Sequence, residues 1–436
     1  MSETLVESTV NFRGAFKNSI VVKVAVITTM IFVMIIPKFL VTELIDERMD
    51  RGNEVVSEIG NKWGKRQTLK GPVLSIPAES TSGEMIMCHT YPEALEVVSN
   101  LDDNERQRGI YKAVLYTAKI SLRARFIQPD RNDFNLSENY TLKPEKAFLS
   151  FEVSDVRGIA ESISIDIDEN QFSAKPGIPF SHEQEGFHVP FNLAKENFSV
   201  NADIGLKGSE EFHVIPVGKS ATVSMSSKWQ DPSFSGEFLP NERNVSDKGF
   251  SAKWNVHALQ RNSVQHWWGK GEQKNPLTVG VKLLQTNSFY QKIQRTVKYA
   301  ILFLSFTFAA VFISERLTKI NIHPLQYILT GVASMLFYVI LLSLSEHLAF
   351  NTSYVLTTSL ITLLISAYAK GIFKLTKVAL TLGGVTCLLY LFLFVTLQQE
   401  DYALLMGSSG LFIVLAVVMY LTRNINHEFD AEMIRS

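Results

Sequence analysis

One apolar stretch near the start of this 436-residue chain and five more in its last third enclose about 250 residues of polar, strand-like sequence. A helix needs roughly 20 mostly apolar residues to cross the hydrocarbon core of a bilayer, because its backbone N–H and C=O groups must be satisfied within the segment. The stretches are Ile20 to Val41, Tyr299 to Ile313, Leu325 to Leu344, Tyr354 to Tyr368, Leu375 to Leu397 and Ala403 to Leu421. The second and fourth are short for a bilayer and are expected to extend into their flanks. This layout describes an integral membrane protein: a six-transmembrane α-helical bundle with a large β-rich domain inserted between helices 1 and 2. The expected order is a tail over 1–19, the first span over 20–41, the insertion over 42–297, a five-helix block over 298–421 and a tail over 422–436.

The first span has a competing reading as a cleaved leader, since Arg13, Lys17 and Lys23 precede an apolar core. The apolar character resumes past Pro37 with Phe39, Leu40 and Val41, and no small-x-small cleavage pattern follows, so an uncleaved anchor is the better reading. Six spans put both termini on one side. The short segments on that side carry Arg13 and Lys17, Arg316 and Lys319, Lys370, Lys374 and Lys377, and Arg423 and Arg435. The opposite loops, Ser345 to Ser353 and Gln398 to Asp401, carry no Lys or Arg and hold Glu346, Glu400 and Asp401. Cytoplasmic loops are enriched in Lys and Arg, so both termini are expected in the cytoplasm and the insertion outside, which in a bacterium means the periplasm.

The insertion carries 30 Lys and Arg against 34 Asp and Glu. That near balance supplies no electrostatic footprint for nucleic acid. It is expected to open with an amphipathic helix over 43–63, because Ile45, Met49, Val56, Ile59 and Trp63 fall on one helical face. Gly71 and Pro72 are expected to break that pattern. The period then becomes two: Ala113 to Phe126, Ser162 to Ile167, Phe198 to Leu206, Glu211 to Val217, Ala221 to Ser226 and Leu277 to Leu283 alternate apolar and polar residues. Many short strands with few helical patterns predict a sandwich of antiparallel sheets. Cys88 in the insertion and Cys387 within a span lie in different media and are not expected to pair.

Motifs of chemistry are scarce. There is no GxSxG elbow, HExxH, P-loop or CxxC. His182, Glu183, Glu185 and His188 have loose metal-like spacing but read better as a solvated loop. Ser345, Glu346 and His347 at the end of a span read as interfacial caps, since a triad is defined by geometry and not by adjacency. Glu315 stands near a span end, and no span carries an ionisable residue near its centre, which argues against a proton- or ion-coupled path. Catalytic, cofactor-binding and metal-ligating residues are therefore expected to be none, and no cofactor is implied. Trp229, Trp254, Trp267 and Trp268 crowd the end of the insertion, where core packing outweighs a ligand-stacking platform.

The most demanding segment is Pro232, Phe234, Gly236, Leu239 and Pro240, followed by Arg243, Val245, Ser246, Gly249, Phe250 and Trp254. Gly and Pro at these places force a particular turn path into a strand. Arg243 is expected as a buried or domain-bridging guanidinium whose loss lowers protein abundance. This segment resembles the CreD family of bacterial inner-membrane cell envelope integrity proteins. Matches also run through Leu69 to Pro72 with Ile76 and Pro77, Arg157 to Ile159, Lys298 to Leu302, His323 to Tyr327, Leu344 to His347 and Leu421 to Ile425. The resemblance implies a Gram-negative inner-membrane protein tied to a two-component envelope-stress regulon, with roles in envelope integrity, colicin tolerance and β-lactam response. It implies no catalytic residues.

The expected function is that of a non-enzymatic envelope protein. Apart from the bilayer, its partner would be a periplasmic or membrane component, with no nucleic acid. Two alternatives stand beside it. One is a transporter or lipid-handling protein, for which Gly383, Gly384, Gly407 and Gly410 would allow close helix approach. The other is a periplasmic hydrolase. No motif encodes the partner or the oligomeric state.

Overall fold

A computed structural model describes residues 20–160, 163–180, 185–269, 277–283 and 289–398, together with positions 405, 407–410, 412, 416, 419 and 420. The chain separates into two compact units, Met1–Arg51 with Asn287–Ser436, and Gly52–Thr286. The strand unit is thus shorter at both ends than the expected 42–297. The reason is helical continuity: the first helix does not stop at Val41, and a helix already resumes at Phe289.

The helices are α1 (Ile20–Val33), α2 (Ile35–Trp63), the short α3 (Ala258–Arg261), α4 (Phe289–Lys298), α5 (Ala300–Thr318), α6 (Pro324–Ser345), α7 (Phe350–Phe373) and α8 (Thr376–Gln398). Pro37, which cannot donate to the Val33 carbonyl, accounts for the interruption at Met34 between α1 and α2. Among the described residues, five helical stretches are long and apolar enough to cross a membrane: Val22–Trp63, Ala300–Thr318, Pro324–Ser345, Phe350–Phe373 and Thr376–Gln398. The two short spans do extend into their flanks, to 19 and 24 residues. The expected sixth span, Ala403 to Leu421, falls mostly outside the described residues, as do the two tails.

Side-chain chemistry sets the helix ends. His323 caps α6, its Nδ1 accepting from the Leu325 N–H at 3.2 Å while Gln326 accepts from the His323 N–H at 3.0 Å, with Pro324 opening the helix. Lys319 and Lys374 close α5 and α7 in the left-handed conformation. Leu363, Leu380 and Leu388 are well exposed on their helices, as a lipid-facing surface requires. The inner face packs aromatics, with Phe337 stacked on Tyr390 at 4.1 Å.

Among the described residues, the strand unit holds two sheets. The ten-stranded sheet runs β14 (Pro232–Gly236), β18 (Val279–Leu283), β12 (Glu211–Ile215), β1 (Gln67–Ser80), β6 (Phe148–Val153), β10 (Gly186–Pro190) and β9 (Lys175–Pro176). To the far half of β1 are added β2 (Met85–Thr90) and β5 (Tyr140–Leu142), and β17 (His266–Trp268) pairs with β2. The eight-stranded sheet runs β15 (Glu242–Ser246), β16 (Gly249–His257), β13 (Ser220–Ser227), β3 (Ala94–Arg108), β4 (Tyr111–Ile127), β11 (Asn197–Ser209), β7 (Ser164–Ile167) and β8 (Asn170–Phe172). The wholly antiparallel expectation is corrected. β1 with β12 and β3 with β13 are parallel, because each pair is joined by a long excursion through the other strands and not by a hairpin.

One apolar core joins both sheets, with Leu69, Leu74, Phe151 and Phe212 from the first and Val97, Phe126, Ile204 and Trp254 from the second. Along β11, Phe198, Val200, Ala202, Ile204 and Leu206 turn inward in strict alternation. The break expected at Gly71 and Pro72 lies elsewhere. The helix already ends at Trp63, where Gly64 takes φ 153° and a Cβ would strike the Lys207 carbonyl. Gly71 and Pro72 lie inside β1, at a shift of register against β6.

Candidate functional site

The glycine- and proline-punctuated segment from Pro232 to Trp254 is the passage of the chain from one sheet to the other. Phe234 on β14 turns inward and meets Phe250 and Trp254 of β16 edge-on, at 5.8 and 6.0 Å. Trp254 is fully buried, and its Nε1 donates to the Phe238 carbonyl at 3.0 Å. Gly236 and Gly249 take φ 102° and 118° where the crossing begins and ends, and a Cβ at either would strike a neighbouring carbonyl, Thr278 or Ser227. Leu239 and the half-buried Pro240 lie on the crossing, and Leu239 is 77% exposed. The expectation for Arg243 is overturned. It lies on edge strand β15, whose five residues are all exposed, because an edge strand has no neighbour to cover it.

The tryptophans do not form one platform. Trp254 is core, Trp229 packs beside the core, Trp267 stacks near His89 at 5.3 Å, and Trp268 is 52% exposed. Positions 182 and 183 of the loose histidine–carboxylate loop lie outside the described residues. Glu185 accepts from the Val156 N–H, and His188 Nδ1 lies 2.6 Å from the Gly177 carbonyl. Among the described residues no group of three His, Cys, Asp or Glu is placed to hold a metal. Glu346 caps the end of α6 and lies 3.5 Å from Tyr290 Oη and 3.9 Å from Arg48. Cys88 and Cys387 are both free, and burial pushes the Cys88 thiol up to about 12, which keeps it unreactive.

A serine–histidine couple that no motif announces sits where β1 faces β2. Ser75 Oγ is 2.8 Å from His89 Nδ1, because the register sets the two residues opposite each other. Such a contact is half of a nucleophile–base arrangement. Burial decides against that use: Ser75 is 1% exposed, and Trp267 lies over the imidazole.

The connection between β16 and β17 is different. It partly reverses the usual polarity of a surface segment: Gln260 and Asn262 stay exposed, but Arg261 and Gln265 turn inward while Leu259 and Val264 turn outward. Arg261 is buried and donates to the Gly218 carbonyl. Gln265 Nε2 donates to the Tyr91 and Pro92 carbonyls at 2.6 and 3.2 Å, and the Gln265 carbonyl accepts from the Tyr91 N–H at 3.1 Å. His266 Nδ1 meets Thr90 Oγ1 at 2.7 Å, and its ring lies edge-on to Phe134. Burial lowers the affinity of His266 for a proton, and lowers that of Arg261 as well. With the polar groups so engaged, Leu259, Val264 and Trp268 are left 96%, 56% and 52% exposed. Sequence reading missed this feature, since periodicity assigns a leucine to the core and no pattern marks a loop whose Arg and Gln turn in.

In the helical unit, Glu315 is nearly buried at 3% exposure. It takes Lys23 Nζ and the Ile322 N–H on Oε1 and Tyr327 Oη on Oε2, the last two at 3.3 and 2.9 Å. Lys23 also donates to Asn321 Oδ1 at 2.9 Å, tying α1 to the end of α5. The sequence placed Glu315 near a span end but carried no sign of its partner almost 300 residues away.

The family model described as inner membrane protein CreD matches residues 19–428. Inner membrane protein CreD of Escherichia coli (strain K12) is 30% identical over 419 residues, covering 91% of each chain. Among solved structures, an M1 zinc metallopeptidase from Deinococcus radiodurans aligns with 44% of this chain and 41% of its own at 6% identity and a TM-score of 0.20, too low to carry any argument. The family match spans both units, and the chain belongs to the CreD family of inner membrane proteins.

Proposed function

We propose that this multi-pass inner-membrane protein is a non-enzymatic envelope protein, that its strand unit faces the periplasm, and that it engages a protein component of the envelope through the β16–β17 connection. The observation that carries this reading is the partly inverted polarity of that connection. A solvent-facing loop normally spends its apolar groups inward, whereas here Arg261 and Gln265 hold the loop down and Leu259, Val264 and Trp268 face out. Exposed apolar side chains of that kind are stabilised when a partner covers them.

The hydrolase reading is weakened by the burial of Ser75 behind Trp267. The transport reading requires polar groups open to a path. Thr307, Ser334 and Thr386 instead donate to the carbonyls four residues earlier on their own helices. The enclosed space they line is about 10 Å³, at or below the size that holds one water.

The test is a photo-crosslinking residue placed at 259 or 264 in intact cells, with one at exposed position 248 as the reference. A reproducible protein adduct at 259 and 264 that is missing at 248 is the expected result. Lipid adducts without protein would transfer weight to a lipid-handling role, and equal labelling at all three positions would remove the connection as a binding surface. The facing of the unit is checked separately with Lys248→Cys, which should react with a membrane-impermeant maleimide added from the periplasmic side.

A further inference from the structure

Charge at the end of α5 does not balance within the described protein. Glu315 commits Oε1 to Lys23 and the Ile322 N–H and Oε2 to Tyr327. The next residue, Arg316, holds its guanidinium 5.3 Å over the Phe312 ring. Its Nε and Nη2 are buried and have no acceptor among the described residues. These two nitrogens form one edge of the guanidinium, the edge that grips two oxygens of an oxyanion at once. The strand unit uses that edge twice. Arg157 sets Nε and Nη2 at 2.9 and 2.7 Å from the two Asp155 oxygens, and Arg66 turns the same pair onto the single Oε2 of Glu210 at 3.0 and 2.8 Å. A charged edge left unsatisfied is unfavourable, and the nearby carboxylate already accepts from three donors, so the group that would satisfy it comes from outside the described residues.

The setting selects the oxyanion. Arg316 is in the last turn of an apolar helix long enough to cross a bilayer, and Lys319 caps that helix. Leu317 between them is 80% exposed, which suits acyl chains. Two cations beside an exposed leucine at a span end lie where a bilayer places its phosphates, and basic sites there take anionic headgroups. Arg316 is itself part-exposed, so rotation about its outer torsions brings the free edge to the surface. We propose that Arg316, assisted by Lys319, binds the phosphodiester of an anionic phospholipid at the end of α5.

The experiment uses full-length protein in detergent: wild type, Arg316→Gln, Arg316→Lys and Lys377→Gln. Affinity for phosphatidylglycerol is measured, together with the shift in unfolding temperature caused by phosphatidylglycerol, phosphatidylethanolamine or inorganic phosphate. Wild type should be stabilised by phosphatidylglycerol more than by either other probe. Arg316→Gln should weaken phosphatidylglycerol binding at least about tenfold, as loss of a two-pronged charged contact does. Arg316→Lys, which keeps the charge and loses the edge, should fall between, and Lys377→Gln should match wild type. Unchanged affinity in Arg316→Gln, or in Arg316→Lys should the glutamine variant fail to fold, overturns the proposal. Equal stabilisation by inorganic phosphate also overturns it, since the site would then take a free anion and not a lipid.

Discussion

In the strand unit, Lys70 stands beside Glu152 because β1 and β6 pair in register, and the ladder alone brings Nζ to 2.9 Å from Oε1. In the helical unit, Lys23 meets Glu315 across 292 residues of sequence, with no ladder to set the distance. Glu152 keeps 23% of its side chain exposed, whereas Glu315 keeps 3%. Water can replace a lost partner of Glu152, but little water can reach the surroundings of Glu315. The same pair of residue types is therefore a local adjustment in the sheet and a determinant of helix arrangement in the apolar unit.

The comparison breaks first at Glu315. Glu315→Ala leaves the Ile322 N–H and Tyr327 Oη without this acceptor and strips the carboxylate from Lys23, which keeps its bond to Asn321. Removing one partner of a buried pair costs about 3–5 kcal/mol, so the unfolding temperature of the detergent-solubilised protein should drop sharply. Lys23→Met combined with Glu315→Leu should recover most of the loss, because the unpaired charge is gone. Unfolding of Glu315→Ala at the wild-type temperature would show that the pair does not hold α1 in place.

Glu152→Ala sharpens the contrast. Lys70 is only 7% exposed, but it stands beside a carboxylate position that water reaches. The expected loss is about 1–2 kcal/mol, in the range of a single charged hydrogen bond. All five tryptophans lie within Gly52–Thr286, so intrinsic fluorescence follows the strand unit alone. A loss as large as that of Glu315→Ala would erase the distinction between the units.

Acid adds a pH-dependent test of the strand unit. Burial holds His213 and His266 below the usual histidine range, and each is hydrogen-bonded, to Ser235 Oγ and Thr90 Oγ1. The unfolded chain then takes up protons near pH about 6.5 while the folded unit resists until lower pH. Stability from these groups is full above that value and falls as pH drops through the folded pKa values. Asp155 acts lower still: its hydrogen bonds to Arg157 depress its pKa, so its contribution is present above the ordinary carboxylate value and lost below it. Tryptophan-detected unfolding at pH 7.5, 6 and 5 should decline for wild type and stay flatter for His213→Asn combined with His266→Asn. Parallel curves would remove the histidines as the source.

Apolar length and period-two alternation reveal the helices and most strands, because burial imposes those patterns directly. β11 and β13 follow the expected alternation along their lengths. The parallel pairing of β1 with β12 was illegible, since strand partners follow from topology and not from composition. The β16–β17 connection was illegible for another reason. Whether Arg261 turns in or out depends on the Gly218 carbonyl, 43 residues earlier, and no local pattern records that contact. Lys23 and Glu315 show the same limit over a longer separation.

The smallest expected effect concerns the residue that the sequence made most demanding. Arg243 lies next to Gly, Phe and Trp residues that are demanding, and reading the segment as one motif gives Arg243 a share of their burial. The strand ladder separates them. Phe250 and Trp254 stand on β16 with a strand on each side, while Arg243 stands on β15 at the sheet edge and is exposed. A charged edge residue guards against strand-to-strand association and contributes little to folding. Arg243→Ala should therefore change stability by no more than about 0.5 kcal/mol. Trp254→Ala, 11 positions away, should cost about 3–5 kcal/mol through the cavity it leaves. Tryptophan-detected unfolding of Arg243→Ala decides the matter, and a loss comparable to that of a core residue would mean that β15 is covered in the working protein.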